Sequence, residues 1–179
     1  MATDSLETFI ADVRSAWGPL TTPLAAACRA SLAQLTLASP NEPWLASLHD
    51  EQPEGRELHR DLEHGFMLLA HTERAGLYRP PHDHGRAWVA YAVQQGEIEI
   101  RTFARLEGAD GPRLVQRDST ILRPGTALAY LPGDIHDTRC LSETALLFRF
   151  TERDLKIEDR LEHRVTRYAR PEDAWTVAP

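Results

Sequence analysis

The 179-residue sequence predicts a mainly β domain, an antiparallel sandwich or small barrel, with an α-helical cap at its N-terminus. Three observations carry that expectation. Residues 1–50 place apolar side chains at helical spacing between proline breaks. From about Glu57 onward, short apolar runs alternate with Gly, Pro and Asp turns. The turns at Gln95-Gly96, at 108–112 and at Pro132-Gly133-Asp134 recur at the spacing antiparallel sheets use. Residues 1–50 are therefore read as a helical cap and residues 51–179 as a barrel with a C-terminal tail, together one structural domain.

In the first segment Leu6, Phe9, Ile10, Val13 and Trp17 recur at three- and four-residue steps behind Asp4 or Ser5 as the cap, which predicts an amphipathic helix ended by Gly18-Pro19. Thr22-Pro23 then offers a cap followed by proline at the first helical position, opening an Ala- and Leu-rich helix to about Ala38. A short turn carries Trp44, Leu45 and Leu48. Strands are expected over 65–72, 87–94, 97–106, 113–116, 127–131 and 145–151. Within 97–105, Ile98, Ile100 and Phe103 interleave with polar residues, a half-buried strand with one slip in register. The tail from Thr151 is charged, with Val165, Tyr168 and Trp175 available to dock on the core.

Composition narrows the function classes. Charged residues are 26% and hydrophobic residues 42%, ordinary globular usage that excludes wholesale disorder. Against 27 acids stand 20 basic residues, of which only Lys156 is lysine, for a formal charge of -7. A nucleic-acid binder would show a basic stripe, and none is present, so small molecules are the expected partners. Cys28 and Cys140 form no closely spaced ligand pair and no disulfide framework, which fits a reducing cytoplasm. An acidic start and the lack of any 18-residue apolar run lead to the expectation of a cytoplasmic protein with no membrane partner, free to form oligomers.

Three of the eight histidines stand apart by setting. His82 and His84 flank Asp83 at the mouth of an expected strand, and in extended chain residues two apart share a face, so both imidazoles project together as a metal clamp. His136 follows the turn Pro132-Gly133-Asp134, where a barrel can bring it opposite the pair and complete three nitrogen ligands. His49, His59, His64, His71 and His163 lack a metal-like spacing. Glu97 and Glu99 read as an exposed sheet face, Trp17 and Trp44 as packing between helix and barrel, and Cys140 as a small core residue.

The compound pattern resembles the cupin superfamily. Gly76, five residues, His82-x-His84 and, twelve positions on, Gly96 match its first motif; Gly125 and Pro132-Gly133-x-x-His136 match its second. The likeness covers about residues 56–151 and implies a double-stranded β-helix, a small closed barrel holding one metal ion in its interior. A glutamate usually completes the first motif, but Trp88 or Val89 stands at its place. A three-histidine set with His-Asp-His is similar to the cysteine dioxygenase type I family and its bacterial thiol dioxygenase relatives.

That resemblance implies an enzyme using Fe(II) on His82, His84 and His136, with O2 oxidising a small carboxylated thiol to a sulfinate. Neutral imidazoles also suit Zn, Ni or Mn. The family's carboxylate-binding arginine maps, through Leu58-His59-Arg60, to Arg60, with Arg56 the ungapped alternative and Arg79, Arg86 and Arg139 close to the motifs. The aromatic residue before that arginine is replaced by Leu58, and Val89 stands where mammalian-type enzymes carry a crosslinking cysteine. The family's outer-shell serine, histidine and tyrosine map to Leu146, Phe148 and Phe150, which predicts a drier pocket taking a different small thiol or a non-thiol acid. Two other classes stay open: another metal-dependent cupin, either a non-thiol dioxygenase or an isomerase, and a non-catalytic ligand-binding cupin.

Overall fold

A computed structural model describes residues 4–108, 111–169 and 176–177. Three helices lead the chain: α1 (Ser5–Ala16), α2 (Thr22–Leu35) and α3 (Pro43–Glu51). Asp4 caps α1 by accepting a 2.8 Å bond from the Glu7 amide. The second helix begins at the expected cap, one residue earlier than predicted, because Thr21 rather than Thr22 accepts from the Leu24 amide at 3.3 Å and Pro23 falls in its first turn.

Nine strands follow in two antiparallel sheets: β1 (Arg56–Arg60), β2 (Met67–Arg74), β3 (Tyr78–His82), β4 (Val89–Gln95), β5 (Ile98–Leu106), β6 (Arg113–Leu122), β7 (Ala127–Tyr130), β8 (Ile135–Cys140) and β9 (Thr144–Thr151). One sheet has the order β1-β2-β9-β4-β7 and the other β3-β8-β5-β6. Facing each other, they form the double-stranded β-helical barrel that the motifs imply. A π-helical turn (Ile157–Leu161) and a small ribbon of β10 (Tyr168–Ala169) and β11 (Thr176–Val177) complete the described chain. The turn expected over 108–112 lies partly outside the described residues, and Trp175 lies wholly outside them.

The core has two storeys, set by which face of the five-stranded sheet each side chain takes. Between the sheets lie Val89, Tyr91, Val93, Ile98, Ile100, Leu122, Tyr130, Cys140 and Leu147. On the opposite face Leu68, Ala70, Ala90, Ala92, Leu146, Phe148 and Phe150 meet Phe9, Val13, Cys28, Leu32, Leu45 and Leu48 of the helices. Because residues two apart share a face, β9 serves both storeys with alternate side chains. Phe103 breaks the β5 alternation for the same reason: it faces outward, where Ile135 and the docked tail residue Tyr168 cover it.

An ion pair between a buried carboxylate and a half-exposed guanidinium fastens helix to barrel. The Asp61 carboxylate, fully buried in the turn between β1 and β2, accepts from Arg14 of α1 at 2.5 Å and from the amides of Glu63 and His64 at 3.0 and 2.8 Å. Burial alone would raise the Asp61 carboxyl, but the Arg14 guanidinium and the two amides outweigh it and hold it down at about 2. Asp61→Asn is expected to cost about 1.5–3 kcal/mol at pH 7, since bonds to a charged acceptor are lost in a dry site. A depressed folded pKa confers stability above the unfolded value, about 3.9, that is lost as pH falls through the folded one. The gap in urea midpoint between wild type and Asp61→Asn should therefore narrow as pH drops toward about 2.

Candidate metal centre

His82 ends β3, His84 sits in the loop two residues on, and His136 lies on β8, paired in register with His82. The three can hold a metal ion between them, since one ligand nitrogen from each lies within 4.8 Å of the other two. Their ring centroids form a near-equilateral triangle with sides of 5.1, 5.0 and 5.0 Å. The three histidines singled out by spacing are thus brought together.

The surroundings fit a cation. Both nitrogens of His136, which is fully buried, have no hydrogen-bond partner, a costly state for a dry imidazole that an ion would relieve at the ligating nitrogen. The Nδ1 of His82 lies 2.8 Å from the Pro80 carbonyl oxygen, so an N–H there donates to the carbonyl and leaves Nε2 free as a ligand. Burial lowers the pKa of His82, and burial together with the neighbouring imidazoles lowers those of His84 and His136 well below the usual histidine value. All three are therefore neutral at pH 7, the ligating form.

Two tyrosines from the facing sheet close the interior side. The Tyr91 hydroxyl, on β4, lies 3.2 Å from His84 Nε2, and the Tyr130 ring, on β7, lies 4.2 Å from that of His136. The Tyr130 hydroxyl is buried without a partner. Burial raises the pKa of both phenols, so they stay protonated as donors near the centre. Of the two residues at the glutamate's place in the first motif, Val89 faces the space between the sheets and Trp88 the helical storey, and neither offers a carboxylate.

The tail pins the ligand loop. The Asp83 amide donates to the Thr166 carbonyl at 3.0 Å, and the Asp83 carboxylate accepts from the Thr166 amide at 2.9 Å and the Gly85 amide at 3.1 Å. Glu158, buried in the π-helical turn, accepts from the Arg86 amide at 3.1 Å. Gly85 has φ 62° and a Cβ there would stand 2.7 Å from the Glu158 carboxylate, so only glycine lets the tail approach so closely.

A cavity of about 1150 Å³ opens on His82 and His84 and is lined further by Arg79, Tyr91, Arg149 and Arg167. Arg60 is not among its lining residues: on the β1 edge it pairs with Glu57 at 2.8 Å and with Asp154 at 3.0 Å. Arg56 likewise pairs with Glu51. The arginine inside is Arg149 of β9, whose Nε is buried without a partner and which forms no ion pair among the described residues.

The drier-pocket expectation also needs correcting. Leu146, Phe148 and Phe150 face the helical storey, and the β9 side chains that line the cavity are Leu147 and Arg149. A one-residue offset on a strand exchanges its faces. Arg149 had one legible signal, a lone charge inside the apolar run 145–151.

No family model matches the sequence, and no curated protein does. Among solved structures, the cupin domain of Schizosaccharomyces pombe Cnp3 is similar over 59% of this chain at 13% identity, with a TM-score of 0.44, and the chain spans 64% of that domain. KdgF from Halomonas sp. is similar over 55% of the chain and 79% of its own length, at 20% identity and TM-score 0.43. A conserved protein with a double-stranded β-helix domain from Klebsiella pneumoniae is similar over 56% of the chain and 71% of its own, at 16% identity and TM-score 0.42. These are likenesses of fold between barrels. No helix of the described residues is long and apolar enough to cross a membrane.

Proposed function

We propose that the chain is a metal-dependent dioxygenase that oxidises a small carboxylated thiol with O2 to a sulfinate, with Fe(II) as its ion. One observation supports this most: three neutral imidazoles converge, His136 with no partner on either nitrogen, and His82 and His84 line a cavity that also contains an arginine free of any ion pair among the described residues. A bound ion would supply a Lewis-acidic +2 centre that lowers a thiol's pKa and brings thiolate and O2 to adjacent positions. The reaction balances as R–S⁻ plus O2 giving R–SO2⁻: two S–O bonds form, the O–O bond breaks, sulfur is oxidised by four electrons and O2 takes all four.

The chain's own residues do the rest. His82, His84 and His136 hold the ion without neutralising its charge. Arg149 takes the carboxylate-binding role that the family likeness assigned to Arg60, and from there fixes the thiol's orientation. The Tyr91 hydroxyl lies beside His84, placed to donate a hydrogen bond to a group developing negative charge. Leu147 and Leu155 furnish apolar lining that helps exclude water.

The test is O2 uptake by the metal-loaded protein across a panel of thiols, with the sulfinate counted. One sulfinate formed per O2 consumed is expected with a carboxylated thiol. Uptake without sulfinate would assign the centre to a non-thiol oxidation, and no uptake with any metal would leave a binding protein.

A further inference from the structure

The cavity is larger than a small thiol acid needs. Its volume of about 1150 Å³ exceeds the 300–1,000 Å³ of ordinary small-molecule sites, and a three-carbon mercapto acid would leave most of it empty.

Its charges are also unevenly spent. Arg79 is neutralised by Glu73 at 2.8 Å, and Arg167 holds Asp159 through two bonds of 2.7 Å. Asp83 is tied to the Gly85 and Thr166 amides. Three lining cations, Arg149, Lys156 and Arg160, form no ion pair among the described residues. They fall into two groups by depth. Arg149 is half-buried, on the same strand face as the interior, and its guanidinium lies against the Tyr91 hydroxyl that reaches His84. Lys156 and Arg160 are exposed, four residues apart across the π-helical turn of the tail, and so stand at the mouth.

Resting on the thiol-oxidation reading, we propose that the preferred substrate is an extended thiol bearing two carboxylates: one meets Arg149 beside the metal centre, and the other is held at the mouth by Lys156 and Arg160. The deep guanidinium sets which end enters, because it is the partly desolvated cation and binds a carboxylate most strongly. The mouth pair reads length: a second carboxylate too close to the first cannot reach it, and a monoacid leaves it idle. Mouth contacts are solvent-exposed, so their contribution weakens as salt is raised.

The experiment measures binding apart from turnover. Thiol-free dicarboxylates from glutarate to azelate are titrated calorimetrically against the protein, beside monocarboxylates of matching length. The longer dicarboxylates are expected to bind about tenfold more tightly than their monoacid partners, the sum of two modest exposed ion pairs, and Lys156→Gln/Arg160→Gln should erase that advantage without changing monoacid binding. Arg149→Gln should weaken both classes by about tenfold or more. Arg149→Lys, which keeps the charge, should restore part of the loss and guards against misfolding of the first variant. Equal affinity for mono- and dicarboxylates, or a mouth variant that leaves the preference intact, would overturn the proposal. If dicarboxylates are preferred but no thiol consumes O2, the oxidation reading fails and the two-anion site stands. If 3-mercaptopropionate is oxidised to sulfinate with no dicarboxylate preference, the reverse holds.

Discussion

His136→Ala is expected to abolish metal retention and O2 uptake while leaving the fold intact. The affinity loss should exceed the roughly 10–100-fold that removing an outer partner of a metal ligand typically costs, because a ligand itself is deleted. The variant should still fold, since neither His136 nitrogen has a hydrogen-bond partner and truncation therefore removes a desolvation cost rather than a bond. Metal content after desalting, read by elemental analysis beside far-UV circular dichroism, checks both halves. A variant that retains a full equivalent of metal would remove His136 from the ligand set.

Phe150→Ala should produce the largest loss of stability, about 3–5 kcal/mol, with the metal site little affected. Phe150 is fully buried where helix meets sheet, with ring centroids 6.2 Å from Phe9, 6.3 Å from Trp17, 5.7 Å from Phe66 and 5.1 Å from Trp88. Deleting it opens a cavity among four rings that cannot collapse together. Denaturant unfolding of the variant, beside its metal content, separates the two storeys of the molecule. If Phe150→Ala instead lost metal at unchanged stability, Phe150 would face the centre and the β9 orientation would be reversed.

These two residues also show what the sequence could and could not reveal. His82 and His84 were legible because a spacing of two in extended chain puts both rings on one face whatever the barrel does. His136 was legible through the turn that precedes it. Arg149 was not assigned because β9 is covered on both faces, so its alternation is masked by apolar residues at nearly every position, and nothing local says which parity meets the helices. The match to Leu146, Phe148 and Phe150 chose the wrong parity, and period two turned that single step into an exchange of faces.

Strand β3 escaped the periodicity reading because Pro80 and Pro81 weaken any strand signal, although at a sheet edge they are tolerated. Strand β8, Ile-His-Asp-Thr-Arg-Cys, lies outside the expected strands, and its run of polar residues gives no apolar alternation to find it by. Its His136 faces the centre, and its Asp137 is compensated by Arg101 at 2.5 Å and by the Tyr78 hydroxyl at 2.8 Å. The Arg60 assignment rested on a short local match; Arg60 is not among the residues that line the cavity and pairs instead with Glu57 and Asp154.

X-ray absorption spectroscopy of the iron-loaded protein probes the metal centre most directly. Three nitrogen scatterers at about 2.0–2.2 Å with imidazole multiple scattering are expected. A loaded protein showing fewer than three imidazoles would contradict a three-histidine site.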